Sequence, residues 1–236
     1  MQPDTSAITI HPCKHCGSQA PVDVHFCPRC DRILTLGRHG DYFRFFGLPR
    51  RLTLDQHDLE QRFRAFSRQF HPDYFYNASS TERLASLERS SYLNDAFRTL
   101  REPVDRLEYL LKLEGFAPKE SHEASSTVPP ELLEEVFELN EQLEAIQQLR
   151  ADGAAGAELS ARLEAARQPI QANLDAHEQQ LNALMVRHDA QSDRSDIPGR
   201  LATLEALREL LVERTYLTNL LATVRRELDA DQAARA

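Results

Sequence analysis

The chain has 236 residues, 41% hydrophobic and 28% charged, with a mean hydropathy of −0.52. This is the composition of an ordinary soluble protein and excludes a membrane-embedded or disordered chain. Only 8 Gly and no Trp, set against abundant Leu, Ala, Glu and Arg, argue against a sandwich or barrel and for a mainly α fold. The net charge of −9 is unevenly placed: residues 117–236 carry 12 Lys/Arg against 22 Asp/Glu, whereas residues 1–40 and 41–116 are close to balance. An acidic half repels phosphate, so no nucleic-acid partner is expected, and a basic or neutral protein partner or mere solubility accounts for the charge.

Residues 1–40 hold all four Cys within an 18-residue span and show no helical periodicity. Cys13 and Cys16 form one CxxC, and Cys27 and Cys30 form another after ten intervening residues. Two such turns supply four thiolates to one ion and leave no open coordination position, which predicts a structural zinc site. Gly17 after the first turn and Pro28 inside the second suit tight knuckles. Two disulfides or a redox dithiol are the competing readings. His15 and His25 stand nearby as spectators, since four thiolates already complete the shell. A module this small cannot fold on its own apolar surface, so metal removal is expected to melt residues 11–35 alone. Residues 1–11 lack the charged and apolar regions of an export signal, and no segment has the roughly 20 apolar residues of a membrane span, so a cytoplasmic setting without a membrane partner is expected.

From residue 41 the pattern turns helical. Leu59, Phe63, Phe66 and Phe70 recur at spacings of four, three and four, which predicts a helix capped by Thr53 or Asp55 and stopped by Pro72. A second helix is predicted over residues 81–101, with Thr81 as N-cap and Leu84, Leu87, Leu93, Phe97 and Leu100 facing inward. A third follows Pro103, carries Leu107, Leu110 and Leu111, and stops at Gly115. Between the first two lies His71-Pro72-Asp73. No Ser or Cys nucleophile accompanies it, and the proline holds the two polar groups in an extended turn, so it suits recognition better than catalysis. Arg62, Arg64 and Arg68, on or near the solvent side of the preceding helix, make a basic surface leading to the tripeptide.

Residues 117–130 are polar and proline-flanked and read as a linker. Pro130 suits the first turn of a helix running through Leu132, Leu133, Val136, Phe137, Leu139, Leu143 and Ile146. Two long amphipathic segments follow, about residues 157–188 and 197–228, and the simplest packing is an antiparallel three-helix bundle over residues 131–236.

The matches DYFRFFGLP at 41–49, RFRAFSRQFHPD at 62–73, LNDAFRTLREP at 93–103 and DRLEYLLKLEGF at 105–116 make residues 41–116 resemble a J-domain, specifically that of the HscB-type co-chaperones of iron-sulfur cluster assembly. ELLEEVFELNEQLEAI at 131–146 is similar to the first bundle helix of that family, and CPRCDRILTLGRHGDYF at 27–43 is similar to members with an N-terminal double-CxxC zinc module. The resemblance implies a non-enzymatic co-chaperone that stimulates the ATPase of a DnaK-type chaperone and presents an iron-sulfur scaffold protein to it. The chaperone would meet Arg62, Arg64, Arg68, His71, Pro72 and Asp73; the scaffold would meet Leu133, Glu134, Phe137, Glu138, Glu141 and Tyr216. Two positions depart from the family. Tyr74 stands where Lys or Arg is common, and Glu134 follows Leu133 where a Met is usual. Burial of Leu133 and Phe137 inside the bundle is the competing reading of that helix. A zinc-containing adaptor, or a metal-dependent or redox enzyme, are the competing functions.

Overall fold

The computed structural model describes residues 10–21, 24–35, 40–116, 132–151 and 157–233. It divides into two compact units, Met1–Leu110 and Leu111–Ala236. The chain is mainly α, with a small Cys-rich module, a helical unit and a helical bundle, as the sequence predicts. Among the described residues no helix is long and apolar enough to cross a membrane. The predicted linker 117–130 lies outside the described residues.

The first unit opens with an antiparallel pair, β1 (Ile10–Pro12) and β2 (Gln19–Pro21), with His11 opposite Ala20. Helix α1 (Tyr42–Phe46) starts at Asp41, whose buried carboxylate accepts from the Arg44 amide and binds Arg50, and it ends at Gly47 with φ 65°. Helix α2 (Gln56–Phe70) is capped by Asp55, one of the two residues the sequence offers for that place. Its apolar stripe buries Leu59 and Phe70, while half-buried Phe63 stacks on Phe97 at 4.1 Å between ring centres. Helix α3 (Ser80–Arg101) begins one residue earlier than predicted. Ser79, not Thr81, is its N-cap: Ser79 and Glu82 each accept from the other's backbone N–H in a reciprocal capping box. Helix α4 (Pro103–Leu113) buries Leu107, Leu110 and Leu111 as expected and is followed by Gly115 at φ 79°.

The inward face of α3 differs from the prediction. Leu84 and Leu87 are 53% and 56% exposed, and the buried positions are Ala85, Ser86, Arg89, Leu93, Ala96 and Leu100. From Ser86 onward this stripe steps by three and four residues, whereas the step from Leu87 to Leu93 is six. Small and polar residues occupy its first half because the helix there approaches a backbone and a charged contact rather than apolar side chains. Ser86 and Ser90 both donate to the Phe70 carbonyl, at 2.7 and 2.9 Å. A second buried arginine, Arg106 of α4, donates to the carbonyls of Leu52 and Leu100.

The second unit contains α5 (Leu133–Ala151), α6 (Ala157–Asp193) and α7 (Ile197–Ala233). The two long helices run further than predicted, so that only residues 194–196 separate them, with Ser195 at φ 57°. So short a turn makes α6 and α7 antiparallel neighbours, and residues equidistant from it face each other: His177 lies 2.7 Å from Glu213, and Arg214 pairs with Glu178 at 3.1 Å. Beside the turn the Asp196 carboxylate accepts from the Gly199 amide at 3.1 Å. The core joins Leu132, Leu139 and Ile146 of the first helical segment to Leu163, Ile170, Leu217 and Leu221.

These burial patterns separate two leucines of one helix. Leu93→Ala should lower unfolding free energy by about 2 to 5 kcal/mol, as large-to-small core changes do, whereas Leu84→Ala should stay within about 0.5 kcal/mol. Urea unfolding of the two variants measures both, and equal losses would contradict the assigned face.

Candidate functional site

Three groups of residues are candidates for metal binding or recognition. The first is the cysteine cluster, whose two CxxC turns have one backbone design. In the first turn the Gly17 amide donates to the Cys13 carbonyl and the Cys13 amide to the Ser18 carbonyl, both at 2.8 Å. In the second, Asp31 donates to Cys27 at 2.8 Å and Cys27 to Arg32 at 2.9 Å. The fifth residue of each turn is left-handed, Gly17 at φ 70° and Asp31 at φ 55°, and Asp is among the few residues that tolerate it.

All four Sγ atoms lie within 4.8 Å of one another, with Cys13 to Cys30 and Cys16 to Cys27 each 3.7 Å. A tetrahedron of thiolates about 2.3 Å from a central ion has edges of about 3.8 Å, so the donor set fits one tetrahedral metal ion. The separations are far beyond the roughly 2.05 Å of a disulfide, and all four thiols are free. The Ser18 hydroxyl, 3.1 Å from Cys16 Sγ and 3.2 Å from Cys27 Sγ, is well placed to stabilise thiolate charge. With help from the Arg29 and Cys30 amides it brings the Cys27 thiol down to about 6 against burial, and it lowers Cys16 in the same way. At Cys30 the Arg32 amide acts downward but is outweighed by burial and by the thiols of Cys16, Cys27 and Cys13, which push it up to about 12. The Ser18 hydroxyl therefore favours the thiolate form at Cys27 and Cys16, the form in which cysteine binds a metal ion.

His15 and His25 stay outside this cluster, as expected of spectators, but His25 has another task. Its ring makes edge contacts with Phe45, Phe66 and Phe70 at 4.7 to 4.9 Å between centres. Arg89 donates to its Nδ1 at 2.6 Å, so Nε2 carries the proton and donates to the Phe45 carbonyl at 3.1 Å. Arg89 is itself buried and also donates to the Leu34 carbonyl at 2.8 Å. Burial brings its guanidinium down to about 10, so it stays charged at neutral pH. Arg32, in turn, pairs with Glu82 at 2.7 Å. His25, Arg32 and Leu34 thus pack the cysteine segment onto α1, α2 and α3. Neither His25 nor Arg89 was identified from the sequence as a docking residue; the available signal was an arginine on the buried spacing of α3.

The second group is the His71-Pro72-Asp73 turn. Helix α2 stops at Phe70, and Pro72 opens a short 3-10 turn, Pro72–Phe75, with His71 at its cap. Contrary to the expectation of two groups held apart, His71 Nδ1 accepts from the Asp73 amide at 3.3 Å and lies 3.5 Å from the Asp73 carboxylate. Both side chains face solvent, with Asp73 86% exposed. Of the three arginines, Arg64 and Arg68 are exposed. Arg62 is half-buried: it pairs with Asp58 at 2.9 Å and donates to the Phe46 carbonyl at 3.0 Å, joining α2 to α1. Exposed Tyr74 and Tyr76 flank the turn.

The third group lies on α5. Leu133 and Phe137 are 53% and 66% exposed, and Glu134, Glu138 and Glu141 also face solvent, so the burial reading fails and an apolar-acidic face remains outside the bundle. Tyr216 of α7 is half-buried against the bundle core.

Comparison with known proteins bears on the family and the fold. Residues 128–225 match the family described as the HSCB C-terminal oligomerisation domain. The fold is similar to the crystal structure of the human co-chaperone protein HscB, with 26% identity, a TM-score of 0.65, and 92% of this chain and 98% of that one covered. It is also similar to chaperone HscB from Vibrio cholerae, with 28% identity, a TM-score of 0.52, and 81% and 99% covered.

The Ser18 hydroxyl supplies a direct test of the cluster. Ser18→Ala should weaken metal affinity by roughly 10- to 100-fold, as loss of groups supporting ligands does, without changing stoichiometry. A chelator-competition titration measures this, and affinity equal to that of the unmodified chain would show that the hydroxyl supports no ligand.

Proposed function

Because the chain belongs to the HscB-type co-chaperones of iron-sulfur cluster assembly, we propose that residues 41–116 act as a J-domain stimulating the ATPase of a DnaK-type chaperone, and that residues 131–236 deliver an iron-sulfur scaffold protein to it. The observation that carries the reading is the mounting of the tripeptide. His71 and Asp73 project into solvent from a turn whose preceding residue, Phe70, is fully buried and whose carbonyl is held by two serine hydroxyls. Rigid display of polar groups suits docking, since little ordering remains to be done on binding. Arg64 and Arg68 add positive charge beside it, which steers an acidic partner surface. Arg62 contributes by holding α2 against α1.

The scaffold would meet Leu133, Phe137, Glu138 and Glu141, at i, i+4, i+5 and i+8 on one side of α5, with Glu134 beside them. Tyr216 belongs to this set by resemblance and is partly buried, packing against the bundle core. Two modest sites on one chain raise the local concentration of scaffold at the chaperone without this chain doing chemistry itself. Cys13, Cys16, Cys27 and Cys30 would hold zinc in a closed structural site, and four free thiols suit a reducing compartment such as the cytoplasm.

His71→Gln should abolish stimulation of a DnaK-type ATPase while leaving helicity unchanged, because an exposed loop substitution costs no more than about 0.5 kcal/mol. Undiminished stimulation would show that His71 is not the docking point, whereas no stimulation by the unmodified chain would leave an adaptor without chaperone activity as the better description. Separately, Leu133→Ala and Phe137→Ala should each weaken binding of an iron-sulfur scaffold protein by about 1 to 3 kcal/mol, with the melting temperature unchanged. Calorimetric titration and thermal denaturation of the same samples measure both quantities, and normal affinity would remove the proposed face.

A further inference from the structure

We infer that metal occupancy of the four-cysteine site sets the geometry of the His71-Pro72-Asp73 turn, so that the turn responds to loss of the metal. The functional consequence rests on the reading of that turn as the chaperone-docking point. The physical coupling does not.

The turn and the segment after it are held at both ends by groups that the cysteine module touches. At the near end stands Phe70, the residue before His71. Its ring meets His25 at 4.9 Å and Phe26 at 6.1 Å between centres, and Phe26 is the immediate neighbour of Cys27. The Arg89 guanidinium lies 5.7 Å from the same ring and takes both its acceptors, the Leu34 carbonyl and His25 Nδ1, from the module. At the far end stands the capping box of α3. Glu82, which binds the Ser79 amide and hydroxyl, also receives Arg32, the second residue after Cys30. One residue on, Arg83 donates to the carbonyls of Tyr76 and Ala78, inside the segment itself.

The module has little of its own to hold these contacts in place. Its buried core is Cys13, Ala20, Cys27 and Leu34, with Cys16, Val24 and Cys30 against it, so the ligands form most of the packing. Without a cation to bind the four sulfurs together, the core lacks the cohesion to keep His25 and Phe26 on Phe70. Arg89 would then be a buried charge stripped of both acceptors, and it must find water by leaving the α2–α3 groove, which releases the Phe70 ring. Helices elsewhere in the unit have their own apolar contacts, such as Phe63 on Phe97, and the bundle core is separate. The loosening is therefore local to residues 70–79.

Hydrogen exchange on the full chain tests this, comparing metal-loaded protein with protein treated with a chelator under reducing conditions. Amides of residues 71–79 should exchange roughly tenfold faster or more after metal removal, while those of α4 and of α6 keep their protection. Phe26→Ala, assayed with its metal content measured and retained, should reproduce the acceleration by cutting the contact while the ligands stay in place. Acceleration confined to residues 10–35 would overturn the proposal, and so would uniform acceleration from α1 to α4, which would make the metal a general stabiliser of the unit. The docking reading fails separately: if His71→Gln leaves ATPase stimulation intact while residues 71–79 still respond to the metal, the coupling stands without it.

Discussion

A charged guanidinium buried where its own helix offers it no acceptor is the constraint around which the first unit is organised. Arg89 can stay charged in that place only because the Leu34 carbonyl and the His25 ring are brought to it from a segment 55 and 64 residues away in sequence. Those two acceptors exist in the right place only if the cysteine turns are closed. The requirement explains the small and polar residues along the first half of α3, where bulk would hold the module off. It also explains why a histidine with metal-ligand chemistry sits among three phenylalanines instead of at the metal. In that place both ring nitrogens are used, one accepting and one donating.

The same packing gives the exposed tripeptide its stiffness. A loop bearing His and Asp would ordinarily be mobile, and ordering it on contact would subtract from binding. Here the residue before it is buried against rings from two segments, its carbonyl is doubly bonded by hydroxyls, and the residues after it enter a helix through a reciprocal cap. Polar display is thus combined with apolar anchorage one residue away. The bundle obtains its display differently. A three-residue turn pins α6 and α7 along their lengths, a third helix completes the core through Leu132, Leu139 and Ile146, and the adjacent positions Leu133 and Phe137 are left outside.

Much of this was legible in the chain itself. Spacing alone located the cysteine cluster, because ligand number and turn length are local properties of a CxxC pair. Periodicity and capping chemistry placed α2, α4 and the two long bundle helices, for the same reason: a helix declares its apolar face every three or four residues. The proline-held junction of two helices and the arginines before it marked the tripeptide as a recognition point, and the family resemblance supplied its partner and the α5 face. The misreadings share one cause. Leucine is usually buried, which predicts Leu84 and Leu87 inward, yet the face of α3 that turns inward carries two hydroxyls and a guanidinium bound to backbone carbonyls. Thr81 and Ser79 are both capping hydroxyls in sequence, and only the paired contact between Ser79 and Glu82 distinguishes them.

The choice between burial and display for Leu133 and Phe137 lay beyond the sequence. An amphipathic helix carries more apolar residues than one partner can cover, and which of them lose water depends on where α6 and α7 stand. Arg62 follows the same logic: its position on α2 gave it to the solvent side, and only the approach of α1 turned it toward the Phe46 carbonyl. What the sequence by itself determined was therefore the set of local elements and the donor atoms of the metal site, whose physics acts over a few residues. Which polar side chains were taken into the interior, and hence how the cysteine turns came to rest on the residue before His71, was decided by contacts between segments far apart in the chain. Burial is a property of the assembled surfaces, and no single stretch of residues carries it.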